Sequence, residues 1–494
     1  MQTCPDSDHA LSLRQILDGV ELFGGDDIRI TGCNCRSQSI EPGDLFVAIS
    51  GTVRDGHDHV AEAVARGCAA VVAERPISTS VPVCYVADSR AAYGRICQGL
   101  AGDPSRKLKA IGITGTNGKT TTSYLIASVL GHAGRRPGVL GTIGCFDGVE
   151  FEETSMTTPP PDQLARCLGR MVRNGCTHAV MEVSSHALDQ SRVAGMVFDA
   201  ACVTNVRRDH LDYHRSINDY RMAKSRLMDY LAPEGFAVLN ADDPTSVDYL
   251  TRIDGPVLTI GVRSAAEITG TLIEQHVSEQ TFLLTAGSDA LPVRTRMIGL
   301  HHVYNCLTAA AVGLAYGIDL ATVARGLEAV EQLPGRLQRI ECGQPFSVFV
   351  DFAHTPDALA GTLQTLREVV SGRLICVFGA GGDRDRHKRP LMGREVENGA
   401  DLAIVTDDNP RNEDPEAIVT DILAGFRSPA AAEVVPDRSR AIARALELAR
   451  PGDGVLIAGK GHEQHQIIGS GRHHFDDVEV AREWLYECTS GFPA

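Results

Sequence analysis

The stretch KAIGITGTNGKTTTSYLIASVL, residues 109–130, decides how this chain is read. A short apolar run reads as a strand, glycines at 115 and 118 read as a tight turn, and an amphipathic helix begins near Thr120. Strand, glycine turn and helix make a phosphate cradle. Glycines let backbone N–H groups approach phosphate oxygens, and the helix N-terminus favours negative charge. The reading assigns Gly115, Thr116, Asn117, Gly118, Lys119, Thr120 and Thr121 to ATP, with Lys119 neutralising the terminal phosphates and the Thr120 hydroxyl ligating magnesium. The common phosphate-loop pattern would place glycine at position 113. Isoleucine stands there, so the match is to a shorter form, GTNGKTT.

Outward from the loop, apolar β-rich runs alternate with helical patterns, as in LFVAIS, a helix over about residues 60–66, and AAVVAE. The fold class is α/β. At 494 residues the chain is too long for one ordinary core, and two turn-rich joints, AGDPSR and EQLPGR, divide it into three domains. Residues 1–105 form a small α/β domain, 106–334 a central phosphate-loop domain, and 335–494 a Rossmann-like domain. Residues 268–297 are strand-like and predict a β-rich addition to the central domain.

Composition narrows the function. A formal charge of −16 argues against a general nucleic-acid or anionic-membrane partner, because those need a basic field. There is no run of 18 uninterrupted apolar residues, and the N-terminus lacks the basic start and apolar core of a secretory signal, which predicts a cytoplasmic chain. Fourteen cysteines without paired CxxC spacing read as reduced small hydrophobes; Cys33 and Cys35 are the one close pair weighed for metal.

Two further motifs carry chemistry. HAVMEVSSHAL delivers Glu182 from a buried-looking strand, and TNVRRDHLDYH places His210 just past another. Strand ends are where α/β sheets bind ligands, and a carboxylate beside phosphates suits magnesium. Taken singly, each is equally a hydrogen-bonded strand terminus or a structural histidine.

GTNGKTTT, MEVSSHAL, TNVRRDHLDYH, YRMAKSRL and NADD occur in that order with the spacing of the Mur ligases, so the chain resembles that family over nearly its whole length. The resemblance implies a ligase that uses ATP to add meso-diaminopimelate to a uridine-nucleotide-linked muramoyl dipeptide, acting as a monomer on small molecules. It implies that Lys119, Glu182, His210 and Lys224 are catalytic. Lys224, as a carbamate formed with carbon dioxide, would hold magnesium together with Thr120, Glu182 and His210. Burial would favour that reaction, since only the neutral amine attacks carbon dioxide. Asn305, Arg336 and Asp351 would complete the ATP site. Ser37, Thr157, Thr158, Ser184, Gln190 and Arg192 would hold the muramoyl dipeptide.

The first domain departs from the family, reading Arg36, Ser37, Gln38 where Asp-Ser-Arg is usual, and His302 stands where asparagine is common. For the amino acid, two charged loops follow apolar strands, CVFGAGGDRDRHKRPLMG and VTDDNPRNEDP. The resemblance assigns Arg389, Asp408, Asn409, Pro410, Arg411, Gly459 and Glu463 to diaminopimelate. A guanidinium fork pairs bidentately with the second carboxylate that distinguishes diaminopimelate from lysine. The alternatives are a lysine-adding relative, a folylpolyglutamate-type ligase, or a nucleotide-gated binding protein that joins nothing.

Overall fold

The computed structural model describes residues 10–17, 20–25, 27–51 and 54–489. Residues 1–9, on which the signal-sequence reading rests, and Thr52 and Val53 of the first domain lie outside them. Among the described residues no helix is long and apolar enough to cross a membrane.

Three main sheets follow one another along the chain, giving the expected α/β architecture. The first has five strands in the order Glu21–Phe23, Val83–Tyr85, Ala70–Ala73, Leu45–Val47, Cys33–Asn34, parallel except at the Glu21–Phe23 edge. The central sheet has eleven strands, with Lys109–Thr114 between His178–Glu182 and Phe198–Val203. These inner strands run parallel and are covered on both faces, which is why they read as apolar runs rather than alternating patterns. Helices Lys119–His132, Leu300–Ala315 and Leu320–Glu328 pack on one face; helix Pro161–Arg173 packs on the other.

The β-rich addition is an antiparallel meander, Ile268–Gln275, Gln280–Ala286 and Asp289–Thr295, continuing the same sheet. The third sheet, Gln338–Ile340, Ser347–Asp351, Gly454–Ala458, Leu374–Phe378, Leu402–Val405 and Ala432–Val434, is parallel but for its first strand.

Both turn-rich joints carry special backbone. Asp103 turns left-handed (φ 49°) just before the short 3-10 turn Pro104–Arg106. Gly335 (φ 63°) sits against the backbone of Gly461 and His462, where a Cβ would collide. That close approach folds the start of the third domain back onto its own loop at Gly461.

Candidate functional site

The C-terminal ends of the central strands open into a cavity of about 760 Å³ whose walls come from both the second and third domains. The phosphate loop lies at its centre. Gly118 is left-handed (φ 87°), and a side chain there would strike Asn305 Oδ1, so only glycine fits. Lys119 Nζ donates to the carbonyls of Gly115 (2.8 Å) and Thr116 (2.8 Å). Burial lowers its pKa, while Glu182 and Asp209 oppose the shift.

Glu182, at the end of its strand, is 1% exposed. It accepts from the Thr120 hydroxyl (3.0 Å), the Thr142 amide (2.8 Å) and the Thr142 hydroxyl (2.9 Å). A carboxylate held by two hydroxyls beside a phosphate cradle is a fitting donor set for a hard divalent cation. Among the described residues no cluster of three or more His, Cys, Asp or Glu could hold a metal. That is compatible with magnesium, whose other ligands are usually phosphate and water.

His210 lines the same cavity in left-handed backbone (φ 52°), with Nε2 3.4 Å from Asp209. Partial burial lowers its pKa, while the neighbouring Asp209 opposes the shift. Lys224 lies behind the loop. It is 1% exposed, donates to the Gly115 carbonyl at 2.7 Å, and sits over the Tyr220 ring. Burial, with the charge of Lys119 close by, drives its pKa well below the usual lysine value.

The third domain reaches in through Arg336, whose Nη2 donates to the Thr120 hydroxyl at 3.0 Å. Asp351 accepts from the amides of Leu337 (2.6 Å) and Ala353 (2.9 Å). Asn305 Oδ1 accepts from Thr122 (3.3 Å). His302 lines the cavity at 2% exposure with neither ring nitrogen bonded.

The five muramoyl-dipeptide candidates of the central domain come together although they are far apart in sequence. Thr158 donates to the Glu182 carbonyl (2.9 Å) and accepts from the Ser184 amide (3.0 Å). Arg192 donates to the Thr158 carbonyl (2.8 Å) and to Gln190 (2.8 Å), and Thr157 pairs with Thr142 (3.0 Å). They form a strip running away from Glu182. Ser37 stands apart in the first domain, its hydroxyl donating to Glu62 (2.7 Å).

Around the amino-acid candidates the structure redistributes the arginines. Arg389 is wholly buried, its guanidinium taken up by Glu413 (2.9 Å twice), Asp421 (2.8 Å) and the Gly381 carbonyl (3.1 Å). It does not line the cavity, so direct ligand contact by Arg389 is corrected: it braces the loop. Arg384, passed over in the sequence, does line the cavity, beside Arg411. Arg411 has left-handed backbone (φ 53°) and donates to the Gly382 carbonyl (2.7 Å). Asp408, Asn409, Gly459 and Glu463 line the same wall, and Asn409 donates to Glu463 (2.8 Å). Pro410 contributes backbone only, its carbonyl closing on Gly382. Asp209, His354 and Lys388 also line the cavity where the two domains meet, and the sequence reading missed all three.

A phosphate loop, a buried acid and an arginine-lined wall on one cavity define a nucleotide-dependent enzyme of three α/β domains. The comparisons make this specific. Residues 29–96 match the Mur ligase family, catalytic domain; 113–313 match the Mur ligase middle domain; 335–461 match the Mur ligase, glutamate ligase domain. The chain belongs to the Mur ligase family. It is 42% identical over 478 residues to the UDP-N-acetylmuramoyl-L-alanyl-D-glutamate--2,6-diaminopimelate ligase of Geobacillus thermodenitrificans, covering 95% of this chain and 98% of that one. A solved structure described as UDP-N-acetylmuramoyl-L-alanyl-D-glutamate--2,6-diaminopimelate ligase superposes with TM-score 0.69 at 32% identity, covering 97% of this chain and 100% of that chain. The MurF ligase of Thermotoga maritima, solved in complex with ADP, shares the fold at TM-score 0.61 and 19% identity, over 92% and 97% of the two chains.

Proposed function

We propose that this chain is an ATP-dependent ligase that joins meso-diaminopimelate to the D-glutamate of UDP-N-acetylmuramoyl-L-alanyl-D-glutamate, as a step in peptidoglycan precursor synthesis. The observation that carries the proposal is the single cavity on which Lys119 and Glu182 share a space with Arg384 and Arg411. Activation of a carboxylate and capture by an amino acid with a second carboxylate need that juxtaposition.

A bare carboxylate is a poor electrophile. In the proposed mechanism its oxygen takes the γ-phosphate of ATP, ADP leaves, and an acyl phosphate results. The neutral amine of diaminopimelate then attacks the acyl carbon and inorganic phosphate departs. Lys119 and the loop amides hold the phosphates, and Arg336 brings a second cation from the third domain. Thr120, Glu182, His210 and a carbamate on Lys224 would hold magnesium, which would supply charge neutralisation for the transferring oxygens. The buried amine of Lys224 is suited to carbamate formation because burial lowers its pKa and so favours the neutral form that attacks carbon dioxide. Arg384 and Arg411 take the distal carboxylate of diaminopimelate, and Asp408 and Glu463 take its ammonium groups. Thr157, Thr158, Ser184, Gln190 and Arg192 hold the dipeptide, and Ser37 the uridine end. Walls drawn from two domains bring the reactants together and exclude water, which would otherwise hydrolyse the acyl phosphate. ATP dependence and small-molecule substrates support a cytoplasmic setting for the proposed enzyme, which acts as a monomer.

The test is phosphate release with ATP, magnesium and the UDP-linked dipeptide, comparing meso-diaminopimelate, L-lysine and no amine. Release with diaminopimelate alone, with the matching product mass, is the expected result. Equal use of lysine would sink the arginine argument, and no release with any amine would sink the ligase.

A further inference from the structure

The first domain holds a thiol cluster that the proposed reaction does not use. Cys33 Sγ lies 3.6 Å from Cys97 Sγ, a contact between the edge strand Cys33–Asn34 and helix Ser89–Leu100. Cys33 is partly exposed, and Cys97 is buried in the apolar core between sheet and helix. Three residues beyond this strand comes Ser37, and the backbone between them is set by the Asn34 side chain, which accepts from the Arg36 amide at 3.0 Å. The same helix packs across the domain boundary: a side chain at Gly94 would strike Ala194 and Ser191 of the central domain. The pair therefore ties the loop bearing Ser37 to the helix that seats the first domain on the second.

We infer that Cys33 and Cys97 are a reversible oxidation site, closed to a disulfide by a hydroperoxide and reopened by a dithiol, that tunes affinity for the uridine-linked substrate. Two thiols and one hydrogen peroxide give one disulfide and two waters. The Cys97 sulfur attacks a peroxide oxygen, the O–O bond breaks, and a sulfenic acid and water form. The Cys33 sulfur then attacks the sulfenic sulfur; the S–S bond forms, and the departing hydroxide takes the Cys33 proton as the second water. Closing the pair from 3.6 Å to a bond of about 2.05 Å requires the two sulfurs to approach by about 1.5 Å. A chain in a reducing compartment does not keep such a bond as a structural staple, which leaves it a transient, redox-sensing one.

The effect on affinity rests on the proposed role of Ser37; the bond itself does not. The experiment treats the full-length protein with hydrogen peroxide, blocks free thiols, and maps disulfide-linked peptides by mass. KM and kcat for the UDP-linked dipeptide are measured before oxidation, after it, and after dithiothreitol. The expected result is a Cys33–Cys97 peptide, a KM raised about threefold or more with kcat little changed, and full reversal. Cys33→Ser and Cys97→Ser should each keep basal activity and lose the response. The inference is overturned if Cys33 and Cys97 stay alkylatable, if the bond forms elsewhere, such as Cys145–Cys167, or if it forms with KM unmoved. If no UDP-linked substrate is turned over, the proposed function fails, and the mapped peptide alone still decides whether the pair is a redox site.

Discussion

Replacing Arg389 with methionine separates two roles that arginine can play at this site. In the structure its guanidinium is fully buried and engages Glu413 and Asp421, whose side chains are 22% and 25% exposed. Removing one partner of a buried ion pair costs about 3–5 kcal/mol, and the part-exposed acids place this case near 3 kcal/mol. For a domain of this size that lowers Tm by about 6–12 °C. The acid limb of stability changes as well. Arg389 hydrogen bonds hold the Glu413 pKa below its ordinary value. A depressed carboxylate contributes stability above its unfolded pKa, which is lost as pH falls through the folded value. Wild type should therefore lose stability more steeply below about pH 4 than Arg389→Met does. Thermal unfolding across pH, with KM for diaminopimelate measured alongside, is the assay. Arg384→Met should do the reverse, leaving Tm within about 1 °C and raising the amine KM by about 10- to 100-fold. If Arg389→Met unfolds like wild type and raises the amine KM as Arg384→Met does, then Arg389 is a ligand contact and the reasoning is wrong.

Lys224→Ala should lower kcat by about 10²- to 10³-fold, and protein equilibrated with 13C-bicarbonate should show a carbamate carbon signal that the variant lacks. Gly118→Ala, forcing a side chain onto left-handed backbone against Asn305, should raise KM for ATP more than about tenfold while the fold survives, as circular dichroism would report. His302→Leu removes two buried, unbonded ring nitrogens; calorimetry should find it neutral or stabilising by up to about 1 kcal/mol, with weaker ATP binding by titration.

How much of this was legible in the sequence depends on how local each signal is. The phosphate loop was legible because strand, glycine turn and helix lie within one short stretch and its backbone demands are met by adjacent residues. The antiparallel meander was legible for the same reason. Arg384 and Arg389 were not separable, since both lie in GGDRDRHKR and differ only in where the next helix starts. That helix begins at Lys388, which turns Arg389 inward onto the helix carrying Asp421 and leaves Arg384 on the open loop. The strip from Thr157 to Arg192 depends on contacts such as Arg192 to the Thr158 carbonyl, 34 positions apart. Locally, the same residues read as an ordinary hydroxyl-rich turn. Nothing near YRMAKSRL announces that Lys224 is buried. Asp209, His354 and Lys388 acquire a shared location only when two domains meet, which no single motif records.

In the proposed reaction the Gly115 carbonyl oxygen, which accepts from both Lys119 and Lys224, would link nucleotide and carbon dioxide. The charge of Lys119 helps lower the Lys224 pKa, so a phosphate that draws Lys119 away, or a carbamate that makes Lys224 an anion, changes the field at the other residue. Whichever arrives first therefore changes the cost of the second, and reciprocity requires that bicarbonate alter ATP affinity by the same factor by which ATP alters carbamate formation. The enzyme would then respond to dissolved carbon dioxide through nucleotide affinity as well as through turnover.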